Sequence, residues 1–215
     1  MTRRADTRVR LLVGCTGPNA AGKGEVLKYL MSRGFSVLSL SDVIREEAER
    51  RGIPESREAM IALGNQLRKR YGPAVLALRS IRRIRRSEAD LVAVDSIRAV
   101  AEVEALRTAF GDRFVLLGIT APARRRFAFL KARQRPGDPR TLGEMLRLEK
   151  QERGASSFQQ QLDRVWGMRD VTIVNRGSLV QLHERVDRLA RSLLRRISAA
   201  ESATKSVSGA KRGHS

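Results

Sequence analysis

A chain of 215 residues is long enough to bury the core of one α/β domain and leaves no room for a second large one. Its 43 lysines and arginines outweigh 23 aspartates and glutamates, giving a net charge of +20 that favours anionic partners: nucleotides, nucleic acid or acidic surfaces. One cysteine and two histidines exclude an internal disulfide and a zinc cluster, and no apolar run approaches the roughly 20 residues that cross a bilayer, so a cytoplasmic protein is expected.

In chain order, "RLLVGCT" (10–16) is a short apolar run ending at a glycine-rich loop; it predicts a strand with Cys15 in the core. "GEVLKYLMSRG" has helical spacing at Val26, Leu27 and Leu30, with Gly34 past its end. "FSVLSL" predicts a second strand, and Ser41 is placed to cap a helix over "DVIREEAERRG". "SREAMIALGNQLRKRYG" and "PAVLALRSIRRIRRS" predict two helices, the second with Pro73 at its first position. "DLVAVDS" is a buried strand ending on Asp95, "AVAEVEALRTAF" a helix and "RFVLLGIT" a strand. A basic helix from Pro122 to Arg135, a "PGDP" turn and helices over about 141–165 follow. "VTIVN" is the fifth strand; "SLVQLHERVDRLARSLLRRI" is an amphipathic helix with Leu179, Leu182, Val186, Leu189 and Leu193 on one face and His183 on its surface. Residues 198–215 are small, polar and aperiodic, and predict a disordered basic tail.

Strands alternating with helices imply a parallel sheet covered on both faces, with its ligand crevice at the strands' C-terminal ends. The loop "GPNAAGKGEV" (17–26) lies at such an end. It fits the phosphate-binding pattern G-x-x-x-x-G-K through Lys23, but Gly24 stands where the usual pattern has serine or threonine. Consecutive backbone N–H groups and the following helix N-terminus favour phosphate oxygens, and Lys23 adds a mobile charge for the terminal phosphates. Gly17, Asn19, Ala20, Ala21, Gly22, Lys23, Gly24 and Glu25 are therefore the expected ATP-binding residues of this loop.

Nucleoside monophosphate kinases resemble this sequence in carrying G-K-G, with Mg²⁺ held mainly through water and a carboxylate across the crevice. Glu25 departs from the threonine usual there. "LSLSDVIREEAERRG" resembles the acceptor-binding segment of adenylate and uridylate-cytidylate kinases, which implies acceptor contacts for Asp42 and Arg45; Asp42 equally suits a helix N-terminus. "VAVDSIR" is similar to their strand-end Asp followed by Arg, implying a water-mediated Mg²⁺ contact for Asp95 and an acceptor-phosphate contact for Arg98. "DVTIVNRGSL" resembles the last strand and turn of dephospho-coenzyme A kinase, where Asn175 and Gly177 would border the adenine; Asn175 also suits a plain strand-end turn.

Residues 10–197 thus resemble a group of little-characterised prokaryotic P-loop kinases related to adenylate, deoxynucleotide and dephospho-coenzyme A kinases. The resemblance implies a three-layer α/β/α P-loop NTPase fold with a five-stranded parallel sheet, acceptor-binding helices over about 41–86 and a lid over about 122–165 in a kinase domain spanning 1–197. The lid sequence "RRRFAFLKARQRPGDP" offers Arg133 and Arg135 as catalytic cations beside Lys23 and Asp95, while Arg124, Arg125 and Arg126 suit a solvated face. Phe129 falls where relatives carry an earlier lid arginine. The expected activity is transfer of the γ-phosphoryl of ATP, with Mg²⁺, to a nucleoside or deoxynucleoside monophosphate. A dephospho-coenzyme A kinase-like activity, or a nucleotide-binding regulatory or nucleic-acid-binding module with little turnover, is the alternative.

Overall fold

In the computed structural model, which describes residues 8–134, 137–151 and 161–210, the apolar runs form five parallel strands: β1 (Leu11–Thr16), β2 (Ser36–Ser39), β3 (Leu91–Asp95), β4 (Phe114–Thr120) and β5 (Val171–Val174). Their order across the sheet is β2-β3-β1-β4-β5. Each parallel step needs a crossover, and the helices supply it: α1 (Lys23–Ser32), α2 (Asp42–Arg50), α3 (Arg57–Tyr71), α4 (Val75–Arg86), α5 (Val100–Phe110), α6 (Ala123–Arg133), α7 (Leu142–Gln151), α8 (Leu162–Gly167) and α9 (Leu179–Ala210). The chain starts at β1 in the middle and adds strands first on one side and then on the other. That reversal opens a crevice between β1 and β3 at their C-terminal ends.

Alternation along β1 divides the core in two. Leu12 packs with Val92, Val94 and Leu116 under α2, α3, α4 and α5, whereas Leu11, Val13 and Cys15 join Ala93, Leu117 and Ile119 under α1 and α9. Both faces are covered, which is why the strands read as continuous apolar runs. Val26, Leu27 and Leu30 are buried as their spacing implies, and Cys15 is a core residue.

Several local expectations are corrected. Pro73 lies two residues before α4, whose cap is Ala74. Ser41 occupies the cap of α2, but its hydroxyl makes no capping bond and turns to Ser39 Oγ at 2.8 Å; the carboxylate of Asp42 instead accepts from Ser39 N at 2.9 Å. Leu179 is exposed at the head of α9, while Leu182, Val186 and Leu193 are buried. His183 is half-buried and stacks on Tyr29 at 4.2 Å between ring centroids. The final helix runs to Ala210 rather than stopping near 197: "SAAESATK" contains good helix formers and no proline, so the helix continues past its last apolar anchor. Residues 211–215 of the expected tail lie outside the described residues.

One buried ion pair ties the helices beside β2 to the turn after β3. Glu102 on α5 and Arg68 on α3 are 0% and 3% exposed and meet at 2.8 Å. Arg68 Nε and Nη2 donate to Glu102 Oε1, while Oε2 accepts the backbone N–H groups of Arg98 at 2.8 Å and Ala99 at 3.0 Å. Removing the guanidinium alone would strand a charge in the interior. Arg68→Met should therefore cost about 3–5 kcal/mol in urea unfolding. Arg68→Met with Glu102→Gln should recover more than half of that, because glutamine still accepts the backbone N–H groups without a charge.

Candidate active site

The loop after β1 takes its shape from the sheet beneath it. Gly17 has φ +135, and a Cβ there would fall 2.0 Å from the carbonyl oxygen of Ile119 on β4. Gly22 has φ +100, and its Cβ would fall 2.5 Å from Nδ2 of Asn175, the residue that follows β5. Asn175 is buried; its side chain donates to Ala21 O at 3.2 Å and its own N–H to Thr120 O at 2.6 Å. The structure therefore puts Asn175 behind the loop as a backbone support.

Lys23 opens α1 and folds back over the loop, its ammonium donating to Gly17 O at 2.8 Å and Pro18 O at 2.7 Å. Burial pushes its pKa down to about 8, against the raising effect of Asp95 and with a smaller lowering by Arg98. Gly24 is exposed, and a Cβ there would touch nothing within 4 Å, so packing does not exclude a side chain. Glu25 directs its carboxylate to Lys28, 3.0 Å away. Behind the loop, burial and then the Asp95 carboxylate push the Cys15 thiol well above its ordinary range.

Across the crevice, β3 ends on Asp95. Its Oδ1 is buried without a hydrogen-bond partner, and Oδ2 faces Ser96 Oγ at 3.4 Å. Register places Ser39 beside Asp95, and the hydroxyls of Ser39, Ser41 and Ser96 meet within 3.4 Å, a cluster the sequence analysis missed because its members are 57 residues apart. Arg98 is half-buried, and its carbonyl accepts Gln161 N at 2.7 Å. Asp42 and Arg45 lie on the first turn of α2, paired with each other at 2.6 Å, with Glu55 at 3.2 Å from Arg45.

The lid side departs most from expectation. Arg126, expected on a solvated face, is 7% exposed: Nε donates to Ala121 O at 3.1 Å, Nη1 to Asn19 O at 3.4 Å, and the guanidinium grips Glu149 of α7. With Gly17, Asn19, Thr120 and Trp166, this pair lines a cavity of about 270 Å³ against the loop. Arg125 donates to the carbonyl of Gly177 and lies 5.0 Å from the ring of Phe129, which is partly exposed. Arg133 is held by Asp138 through two bonds of 2.8 and 2.6 Å. Arg135 lies outside the described residues, as does 152–160 of the predicted lid.

Among the described residues, the non-glycine positions with positive φ are Ala20 (57), Ser96 (62) and Gln134 (48). They lie in the loop, directly after Asp95 and at the end of α6. Left-handed backbone costs about 1–3 kcal/mol per such residue; Ala20 and Ser96 hold it on the two sides of the crevice, whereas Gln134 is the C-cap of α6.

A parallel sheet with a phosphate-loop geometry at its switch point and a carboxylate opposite defines a P-loop kinase-like α/β domain. The AAA domain family matches residues 16–147. A UPF0200 protein of Pyrococcus horikoshii is 33% identical over 187 residues, covering 86% of this chain and 96% of that one. The chain belongs to these two families. Solved structures share the fold at lower identity: TT1252 from Thermus thermophilus has a TM-score of 0.58 at 20% identity, covering 86% of this chain and 98% of that one. Shikimate kinase from Acinetobacter baumannii in complex with shikimate has a TM-score of 0.51 at 17% identity, covering 85% and 93%.

The two loop glycines make opposite predictions. Gly24→Ala should raise stability by about 0.4–1 kcal/mol in thermal unfolding, since the site is helical and open. Gly17→Ala should lower the melting temperature, because both its φ and the Ile119 carbonyl oppose a Cβ.

Proposed function

We propose that this protein transfers the γ-phosphoryl group of ATP to a small phosphorylated acceptor, a nucleoside or deoxynucleoside monophosphate. The observation that carries the reading is that the loop ammonium of Lys23 and the buried, unpartnered oxygen of Asp95 stand on the two sides of the β1–β3 crevice, near enough for the carboxylate to raise the lysine's pKa. In the reaction, an anionic oxygen of the acceptor phosphate bonds to the γ-phosphorus as the bond to the β–γ bridging oxygen breaks, giving ADP and a diphosphate. The attacking oxygen is already deprotonated, so positioning and charge neutralisation suffice.

Each residue has a matching task. The loop N–H groups cradle the ATP phosphates, and Lys23 shifts from its carbonyl partners onto the terminal ones. Asp95 and the neighbouring hydroxyls suit a Mg²⁺ ion bound through its water shell: the carboxylate has an acceptor to spare and Gly24 offers no direct ligand. Such an ion supplies charge neutralisation on the phosphates. Arg45 and Arg98 hold the acceptor phosphate, for which the planar guanidinium fork suits two parallel bonds. Asp42 aims Arg45, the turn of Asn175 and Gly177 borders the adenine with the Asn175 side chain turned to the loop, and Arg133 and Arg135 supply lid cations.

ATP consumption measured against the nucleoside and deoxynucleoside monophosphates and dephospho-coenzyme A tests the reading; turnover with dephospho-coenzyme A alone would replace the acceptor, and none at all would favour a regulatory module. Lys23→Ala should abolish turnover with the fold intact. Arg45→Lys and Arg98→Lys should raise the acceptor KM or lower kcat while leaving the Kd for ATP nearly unchanged. Because burial lowers the Lys23 pKa to about 8, ATP affinity by calorimetry should decline as the pH rises through that value. Above pH 8 it should fall toward the limit of tenfold per pH unit for one lost proton, and Lys23→Met should show no such fall.

A further inference from the structure

Outside the crevice, the strongest charge asymmetry of the chain lies on α3 and α4. Between residues 59 and 87 there are eight lysines and arginines and no aspartate or glutamate. The helix α4 buries Ala77, Ser80, Ile81 and Ile84 against the core, which turns Arg79, Arg82, Arg83 and Arg86 onto the opposite face at spacings of three and four residues. Arg82, Arg85 and Arg86 are exposed and make no ion pair among the described residues; Arg83 pairs with Glu46. At the head of this stripe stands Tyr71, 48% exposed, with the guanidinium of Arg70 5.2 Å and that of Arg79 5.1 Å from its ring. Lys69, also exposed, extends the patch onto the last turn of α3.

We propose that this face, Lys69 to Tyr71 with the outer side of α4, binds single-stranded nucleic acid. A row of unneutralised guanidinium groups along one helix matches a backbone of successive phosphates, releasing counterions as each contact forms. An exposed aromatic ring among guanidinium planes offers a base a stacking surface without selecting its sequence. A lipid surface fits less well: the apolar residues of α4 face the core, and Leu78 is its one large apolar side chain left exposed, so there is no apolar face to enter a bilayer. A duplex satisfies the charges but leaves Tyr71 unused.

The test is fluorescence anisotropy of the full chain with a labelled 20-nucleotide oligouridylate between 50 and 300 mM KCl, in parallel with a duplex of equal length and vesicles containing phosphatidylserine. Three or four phosphate contacts should give a log–log salt slope of about −2 to −3. Excess ATP should not compete, which separates this face from the crevice. Arg82→Glu with Arg86→Glu should weaken binding at least tenfold and flatten the slope by about 1.4, two contacts at 0.7 each, without lowering the melting temperature. If that pair does not fold, Arg82→Gln with Arg86→Gln should show the same direction. Tyr71→Ala should weaken oligouridylate binding five- to tenfold while leaving its salt slope and the duplex affinity unchanged. Unchanged affinity in the double variant, displacement by ATP, equal binding of duplex with no effect of Tyr71→Ala, or binding to vesicles in place of the oligonucleotide would each overturn the proposal.

Discussion

A fully buried carboxylate has to be compensated on every side, and Glu102 meets that demand with donors from two parts of the chain. One oxygen takes the guanidinium of Arg68 from α3; the other takes two backbone N–H groups from the turn that follows β3. In a low-dielectric interior, losing any of these donors is costly, so the turn and the helix are fixed relative to each other. Asp95, Ser96 and Arg98 all lie on that turn or just before it. The wall of the crevice opposite the phosphate loop therefore owes its position to an ion pair that does not itself enter the crevice.

The loop is constrained in a different way. Its shape comes from close backbone approach: Gly17 lies against β4, and Gly22 and Ala21 against Asn175 at the end of β5. Such a loop is already concave before any phosphate arrives, so binding does not have to order it. Lys23 is the exception, giving its hydrogen bonds to the loop's own carbonyls, bonds that under the proposed function it exchanges for phosphate oxygens. Gly24 has open space on its side-chain face. The packing that explains Gly17 and Gly22 therefore does not explain this glycine.

The strands, their order of appearance and the loop were legible in the sequence because each depends on neighbours along the chain: a continuous apolar run means burial on two faces, and a glycine-lysine pattern after it means a turn into a helix. What could not be read was whatever depends on a partner distant in sequence. Three consecutive arginines at 124–126 look alike on paper, yet Arg126 is drawn inward by Glu149 and Arg125 by the Gly177 carbonyl. The serine cluster needs the β2–β3 register, and the support role of Asn175 needs the sheet order. Pro73 and Ser41 were misread for a local reason: proline and serine favour helix starts statistically, and here a preceding turn and a competing hydroxyl took their places.

Asn175 reaches the phosphate loop across 154 positions of sequence, from the last strand to the first. During synthesis the loop therefore emerges early and waits for its support until most of the chain has left the ribosome. Edge strand β5 is the last of the five in the sequence, so it emerges after the other members of the sheet. A nascent or C-terminally clipped chain would have the glycines and the lysine but lack the peg behind them. The rear support of the loop is thus complete only in a chain that includes the fifth strand.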